Sequence, residues 1–309
     1  MVLNSYKNLI GRKYMKVIEC KNVSKYFGEK NVLDNLNFSL EEGKIHALLG
    51  RNGAGKTTLL NCICTKYIPS KGDVYLLEEK AYENAKVLSE VCFMTDRLDA
   101  FDTYKVKDIL KYAKHFYPKW NENLMNQLLE CYEIRPKENY AFLSRGRKTA
   151  ISLIIGLCCG CKIVLFDEIY SGLDAVGRKQ FYDLLLEEQE KNPRNFVLST
   201  HLIEEMAMLF DEVIILDKGK VLLQEEVEQL EEKSFRATGR AREEGIFLGK
   251  NVIAKKEMGA MAEYYIYDTF SVEEREKLME QGVTLQNMSL QELFIAATSD
   301  TKTDKGGMI

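Results

Sequence analysis

Residues 50–58, "GRNGAGKTT", bound what this chain can fold into more tightly than any other stretch of it. They fit the pattern Gly, four residues, Gly-Lys-Thr, between a strand-like run, "KIHALLG", and a helix-like one, "LLNCICTKY". That strand-loop-helix context is the one in which the pattern cradles phosphate, and a chance match in a chain of this length is on the order of 1%. Gly53 and Gly55 let backbone N–H groups turn inward around phosphate oxygens, and the helix beginning near Lys56 points its positive end at them. Lys56 is expected to reach the β- and γ-phosphates and the Thr57 hydroxyl to ligate Mg²⁺. Gly50, Arg51, Asn52, Ala54 and Thr58 complete the expected nucleotide-facing loop.

A second stretch answers to the first. "KIVLFDEIYSGLD", residues 162–174, runs an apolar strand straight into two adjacent carboxylates, Asp167 and Glu168. Two acids at the end of a buried strand repel each other and lose solvation, so a cation or a reacting group should lie beside them. In phosphate-loop NTPases an acid at the end of a neighbouring strand holds the metal. Asp167 is assigned that role, through bound water, and Glu168 is placed beside the γ-phosphate, accepting a hydrogen bond from the attacking water as general base.

The rest of the composition narrows the setting. With 309 residues and 46% hydrophobic content, the chain has room for one large α/β domain and a smaller appendage. A formal net charge of −4 offers no basic field for a nucleic-acid backbone, so no direct nucleic-acid partner is expected. The longest apolar run, "AISLIIGLCCGC" at 150–161, is shorter than the roughly 20 residues that cross a bilayer and reads as a buried helix. The first twenty residues lack an apolar core followed by a small-residue cleavage site, so a cytoplasmic location is expected, with Met15 a candidate natural start. The eight cysteines sit mostly in apolar segments and read as reduced, buried thiols. Cys158, Cys159 and Cys161 have no second Cys or His pair at zinc-site spacing, and His46, His115 and His201 are too scattered for a local metal motif.

In chain order, "VIECKNV", "LNFSL" and "KIHALLG" read as strands, as do "DVYLL" and "SEVCFMT" after the phosphate loop. A helical, aromatic-rich insert follows, then strand "KIVLF", helix "GRKQFYDLLLEEQEK", strand "NFVLST" and a hairpin at Lys218-Gly219. Strands alternating with helices imply a largely parallel sheet. Past residue 224 the character changes to an acidic helix, a strand-like "YYIYDTF", a charged helix "VEEREKLMEQG" and an amphipathic "LQELFIAAT". The expected divisions are an N-terminal extension (1–15), a main domain (16–224) with a helical subdomain over about 97–160, an appendage (225–299) and a flexible tail (300–309).

"GRNGAGKTT", then "LSRGRK" at 143–148, "IVLFDE" with "SGLD" at 171–174, and "STH" at 199–201 occur in one order. Together they resemble the nucleotide-binding subunit of the ABC transporter family over residues 16–224. The implied fold is α/β, a P-loop NTPase (ABC ATPase) core with an antiparallel β subdomain, a helical insert and a small C-terminal α+β appendage. "LSRGRK" looks like the family's LSGGQ signature. The resemblance implies that Ser144, Arg145 and the Gly146 N–H bind ATP held by a second subunit, identical or related, in a head-to-tail dimer around two Mg-ATP. Ser144 serves equally as a plain helix cap. Asp174 is implied to contact the opposite subunit, and His201 to touch the γ-phosphate and orient the water. Phe27 falls where the family stacks an aromatic on adenine, with Tyr26 the adjacent alternative.

Two departures stand out. The family's Mg²⁺-ligating glutamine is replaced by Asp96 in "VCFMTD", whose carboxylate can still approach the metal. Ile169-Tyr170 replaces the usual Pro-Thr after the catalytic acid, which alters packing and removes no catalytic group. "FYPKWNENL" and "SLQELFIAAT" resemble a bacterial branch paired with exporter-type permeases, which implies a separately encoded membrane permease as partner and a position on the inner face of the cell membrane. Tyr104, Phe116, Tyr117 and Trp120 either receive a helix of that partner or fill the insert's own core. The competing reading is a soluble ABC ATPase of the ribosome-associated or DNA-repair type. Those have two ATPase halves in one chain or a long coiled-coil insertion, and neither is seen.

Overall fold

A computed structural model describes residues 15–96, 98–240 and 244–299; the expected N-terminal extension, up to residue 14, and the expected tail, 300–309, lie outside them. β1 (Lys16–Phe27) and β2 (Lys30–Glu41) form a bulged antiparallel hairpin around Gly28. β3 (Ile45–Gly50) is buried along its whole length and leads through the glycine loop into α1 (Lys56–Ile63). β4 (Lys71–Leu76) and β5 (Glu79–Lys80) complete a four-stranded antiparallel sheet in the order β2-β1-β4-β5. A single-turn α2 (Ala85–Leu88) precedes β6 (Val91–Thr95).

Three helices then leave the sheet: α3 (Val106–Phe116), α4 (Glu122–Cys131) and α5 (Arg145–Cys158). α3 is strongly two-sided, burying Val106, Ile109, Leu110 and Ala113. α5 is the long apolar run expected to be a buried helix, and Gly156 explains how close it comes to the sheet. A Cβ there would stand 2.4 Å from Phe166 Cε1, so the glycine is a contact requirement rather than a helix end.

The chain returns as β7 (Ile163–Asp167), α6 (Ala175–Lys191), β8 (Asn195–Thr200), a single-turn α7 (Ile203–Met206), β9 (Glu212–Asp217) and β10 (Lys220–Glu226). The central sheet has the order β10-β9-β3-β8-β7-β6, parallel except where β10 turns back on β9. Its strands are apolar on both faces because both are covered. Ile163 and Leu165 join α1 and the antiparallel sheet in one core, while Val164 and Phe166 join α3 to α6 in the other.

After α8 (Val227–Lys233), a second antiparallel sheet, β12-β13-β11-β14, is built from β11 (Ser234–Arg240), β12 (Val252–Met258), β13 (Met261–Tyr267) and β14 (Thr284–Asn287). With α9 (Val272–Glu280) it closes a small core of its own around Phe235, Ile266 and Phe270. α10 (Leu290–Thr298) packs back on the large core through Leu293 and Ala296, and Tyr267 Oη donates to Glu225 at 3.1 Å. The expected α/β core, antiparallel β subdomain, helical insert and C-terminal α+β appendage are all present.

Candidate functional site

The parallel strands deliver their C-terminal ends to one edge, where open α/β sheets bind ligands. β3 ends at Gly50, and the loop beyond it holds Gly53 and Gly55 at φ +84° and +108°. A Cβ at Gly55 would stand 2.8 Å from Leu33 Cδ2 and 3.1 Å from the Val32 carbonyl, so the tight approach to β2 requires glycine. α1 starts with neither a side-chain cap nor an acidic residue in its first turn, which leaves its positive end for an anion.

Lys56 is buried, and its ammonium donates to the Gly50 carbonyl at 2.8 Å and stands 3.3 Å from Glu168 Oε1. On the other side of the same carboxylate, His201 Nδ1 lies 3.7 Å from Glu168 Oε2. Glu168 takes a left-handed backbone, φ +48°, which a non-glycine residue adopts only at some cost. Its N–H is held by Ser199, through Oγ at 3.0 Å and the carbonyl at 3.3 Å. The same Ser199 hydroxyl donates to Asp167 Oδ1 at 2.5 Å. One buried serine thus orients both acids. Tyr170, at the place of the departure from the usual Pro-Thr, is fully buried and donates to the Ser199 carbonyl at 2.8 Å. Burial pushes its phenol up, which keeps it a neutral donor.

A cavity of about 890 Å³ runs along the loop, lined by residues 51–58, Phe27, Tyr67, Lys30, Lys218 and Glu168. Phe27 is 45% exposed and meets Tyr67 edge-on at 5.5 Å, an open aromatic face able to take a base. Thr57, exposed toward that cavity, and Asp167 supply a hydroxyl and a carboxylate, the hard oxygen donors that suit Mg²⁺. The cradle of glycine N–H groups, Lys56 and this donor set fit a nucleotide triphosphate with its metal.

The remaining expected residues gather elsewhere, at the start of α5. Ser144 caps that helix, accepting from Arg147 N at 3.4 Å, and Gly146 faces the Gly172 carbonyl, 3.3 Å from where a Cβ would be. Arg145 reaches across to Asp96 Oδ2 and Ser171 Oγ, both at 3.2 Å. Asp96 is therefore brought to Arg145. Arg147 turns away, held by both carboxylate oxygens of Glu138. Asp174 caps α6 through Gly177 N at 2.8 Å. Of the four insert aromatics, Phe116 is 73% exposed and Tyr104 partly so, whereas Tyr117 and Trp120 pack on the core.

Sequence reasoning missed Ser199 and Tyr67. Ser199 had a visible signal: a polar residue in the apolar strand "NFVLST", which pairs in parallel with β7 and sets Ser199 opposite Asp167. Tyr67 had none, since only the return of the chain after α1 brings it to Phe27.

The profile of the family described as ABC transporter matches residues 33–171. The ABC transporter ATP-binding protein YtrB of Bacillus subtilis is 27% identical over 217 residues, 70% of this chain and 74% of that one. An uncharacterized ABC transporter ATP-binding protein of Methanocaldococcus jannaschii is 33% identical over 221 residues, 69% of this chain and 79% of its own. A solved ATP-binding subunit of an ABC transporter superposes with a TM-score of 0.63 at 21% identity, covering 69% of this chain and 91% of that one. A dimeric ATP-binding cassette in a post-hydrolysis state bound to ADP and Pi gives 0.58 at 22% identity, covering 68% and 98%. The fold is that of the P-loop ATPases of the ABC type. By sequence, this chain belongs to the ATP-binding proteins of ABC transporters, and the activity of that family is ATP hydrolysis.

Proposed function

We propose that two such subunits, identical or related, close head to tail around two Mg-ATP and hydrolyse them to drive a separately encoded membrane permease, in the direction of export. The observation that carries this reading is Glu168 set between the Lys56 ammonium at 3.3 Å and the His201 imidazole at 3.7 Å, beside the glycine loop. Glu168 accepts the proton of the attacking water as general base, and His201 orients that water and contacts the γ-phosphate. Lys56 and the loop N–H groups of residues 50–58 hold the phosphates, and Phe27 stacks on adenine. Mg²⁺, when bound, neutralises charge on the phosphates; Thr57 and Asp167 hold it, with Asp96 in reach once Arg145 releases it. Ser144, Arg145 and Gly146 engage the γ-phosphate carried by the opposite subunit.

The division that goes with this is an ATPase domain over 16–224, with its helical subdomain at about 97–160, and an appendage over 225–299. The exposed Tyr104 and Tyr112, with the half-buried Phe101 against them at ring-centroid distances of 5.6 to 6.4 Å, form the surface offered to the permease. No helix among the described residues is long and apolar enough to cross a membrane, so membrane attachment is assigned to that partner, on the inner face. The test is Glu168→Gln. Hydrolysis should fall by about 10²- to 10⁴-fold while ATP-Mg traps a dimer on size exclusion, and a multi-spanning protein should co-purify. A trapped dimer found on ribosomes, with no such protein, returns the reading to a soluble ABC ATPase; no ATP-dependent dimer removes it altogether.

A further inference from the structure

At the far end of α5, away from the nucleotide cavity, three thiols meet. Cys159 caps the helix, Gly160 follows at φ +68°, and the Cys161 N–H closes the turn on Cys159 Sγ at 3.4 Å. A left-handed residue between two cysteines brings their Cα atoms to about 5.5 Å, inside the range a disulfide spans. Cys92, on β6, and Cys161 lie within hydrogen-bonding reach of the Cys159 sulfur, and Cys161 Sγ also donates to the Ser89 carbonyl at 3.7 Å. The buried guanidinium of Arg194 stands beside it, Nη1 to Sγ 3.8 Å, fixed by Glu188 at 2.9 Å and the Leu157 carbonyl at 2.8 Å.

Those partners decide which sulfur is reactive. Hydrogen bonds from Cys161 and Cys92 pull the Cys159 thiol well below its ordinary value, against burial and with help from Arg194. Cys161 and Cys92 are pushed up in exchange, first by the shared hydrogen bond with Cys159 and then by burial. As a thiol Cys159 donates to the Gly156 carbonyl at 3.1 Å; as a thiolate it keeps the Cys161 N–H and Arg194. A cavity of about 100 Å³ is lined by both cysteines, together with Tyr117, Glu90 and the exposed Lys119. Space for a water needs about 10–15 Å³, so hydrogen peroxide fits and a bulky thiol reagent does not.

We infer that Cys159 and Cys161 form a peroxide-oxidisable dithiol site, with Cys159 the attacking sulfur and Cys161 the resolving one. In the first step the Cys159 thiolate attacks one peroxide oxygen. The S–O bond forms, the O–O bond breaks, sulfur gives up two electrons, and the hydroxide released takes a proton to become water. In the second step the Cys161 sulfur attacks the sulfenic sulfur. The S–S bond forms, the S–O bond breaks, and the hydroxide leaves as water with the Cys161 proton. Two thiols and one hydrogen peroxide become one disulfide and two waters.

The test uses the reduced full-length chain treated with hydrogen peroxide, denatured in N-ethylmaleimide and mapped by mass spectrometry. Residues 149–162 form one tryptic peptide holding Cys158, Cys159 and Cys161. That peptide should lose about 2 Da with only Cys158 alkylated, and its oxidation should outrun that of the exposed Cys131 by at least about tenfold. In Cys161→Ser a sulfenic acid should persist at position 159 and be captured by a cyclic dione. A bridge joining the peptide of Cys92 to that of Cys159, oxidation led by Cys131, or no oxidation in the wild-type chain would each overturn the assignment, whatever the variant does.

Discussion

The two ends of the central sheet use polar residues in opposite ways. At the C-terminal ends of the strands, Lys56, Glu168 and His201 face each other across 3.3 and 3.7 Å, longer than ordinary hydrogen bonds, beside an open cavity. At the N-terminal ends, the polar groups are closed on one another. Asp211 accepts from Ile45 N at 2.8 Å, Asn195 accepts from Gly43 N at 2.7 Å and donates to the Lys162 carbonyl at 3.0 Å. Glu212 is shared by His46 at 2.8 Å and Gln224 at 2.7 Å; His46 Nε2, Glu90 Oε2 and Arg194 Nε are the exceptions, buried atoms with no partner among the described residues. Charge held loosely at one end is available to a ligand, while charge satisfied at the other holds the strands in place.

That contrast breaks if the two ends respond alike. The largest expected effect is at the open end: Lys56→Ala should lower ATP hydrolysis by about 10²- to 10³-fold, with the thermal midpoint almost unmoved. A collapse in stability of the same variant would show that Lys56 is a structural residue. Next comes the closed end, where Asn195→Ala removes a buried side chain that joins two loops. Denaturant unfolding should show a loss of about 2–3 kcal/mol, and the folded enzyme should hydrolyse ATP at the normal rate. Ser199→Ala sits between the two, because its hydroxyl holds both acids of the site from inside the sheet. A roughly tenfold drop in kcat with little change in KM for ATP is expected, together with about 1–2 kcal/mol of stability. Equal kcat in the variant would mean that Asp167 and Glu168 orient themselves.

The sequence made the loop half of the site readable because its chemistry is local. Gly50 to Thr58 must form a turn, and the spacing of glycines and lysine states the turn directly. Asp167 and Glu168 were readable as an anomaly, two charges at the end of an apolar run. Arg145 and Asp96 were not readable as a pair, since 49 residues separate them and only the packing of α5 against β6 brings them together. The same holds for Arg194 and Cys159, 35 residues apart, and for the strand order β10-β9-β3-β8-β7-β6. Periodicity shows which segments are strands; neighbours in a parallel sheet are set by crossovers whose contacts leave no local trace.

The smallest effect expected from the comparison is the acid response of the closed end. Burial raises the Glu212 carboxyl, but the hydrogen bonds from His46 and Gln224 and the nearby charges of His46 and Lys44 outweigh it, and the net shift is below its ordinary 4.5. Folded, the group gives up its proton more readily than unfolded, so its contribution to stability is full above about pH 4.5 and is lost as pH falls through the folded value. Glu188 carries the opposite sign: burial, against Arg194, raises its carboxyl, so what it contributes is greatest at low pH and is lost as pH rises through the folded value. Glu212→Gln should therefore flatten the acid limb of a stability-against-pH curve and Glu188→Gln should steepen it, each leaving hydrolysis at pH 7 within about twofold, a difference below 0.5 kcal/mol. An acid limb unchanged in Glu212→Gln would mean that the closed end is held by its apolar strands alone. Loss of hydrolysis in that variant at full stability would couple the two ends of the sheet, and the separation between a binding end and a holding end would not stand.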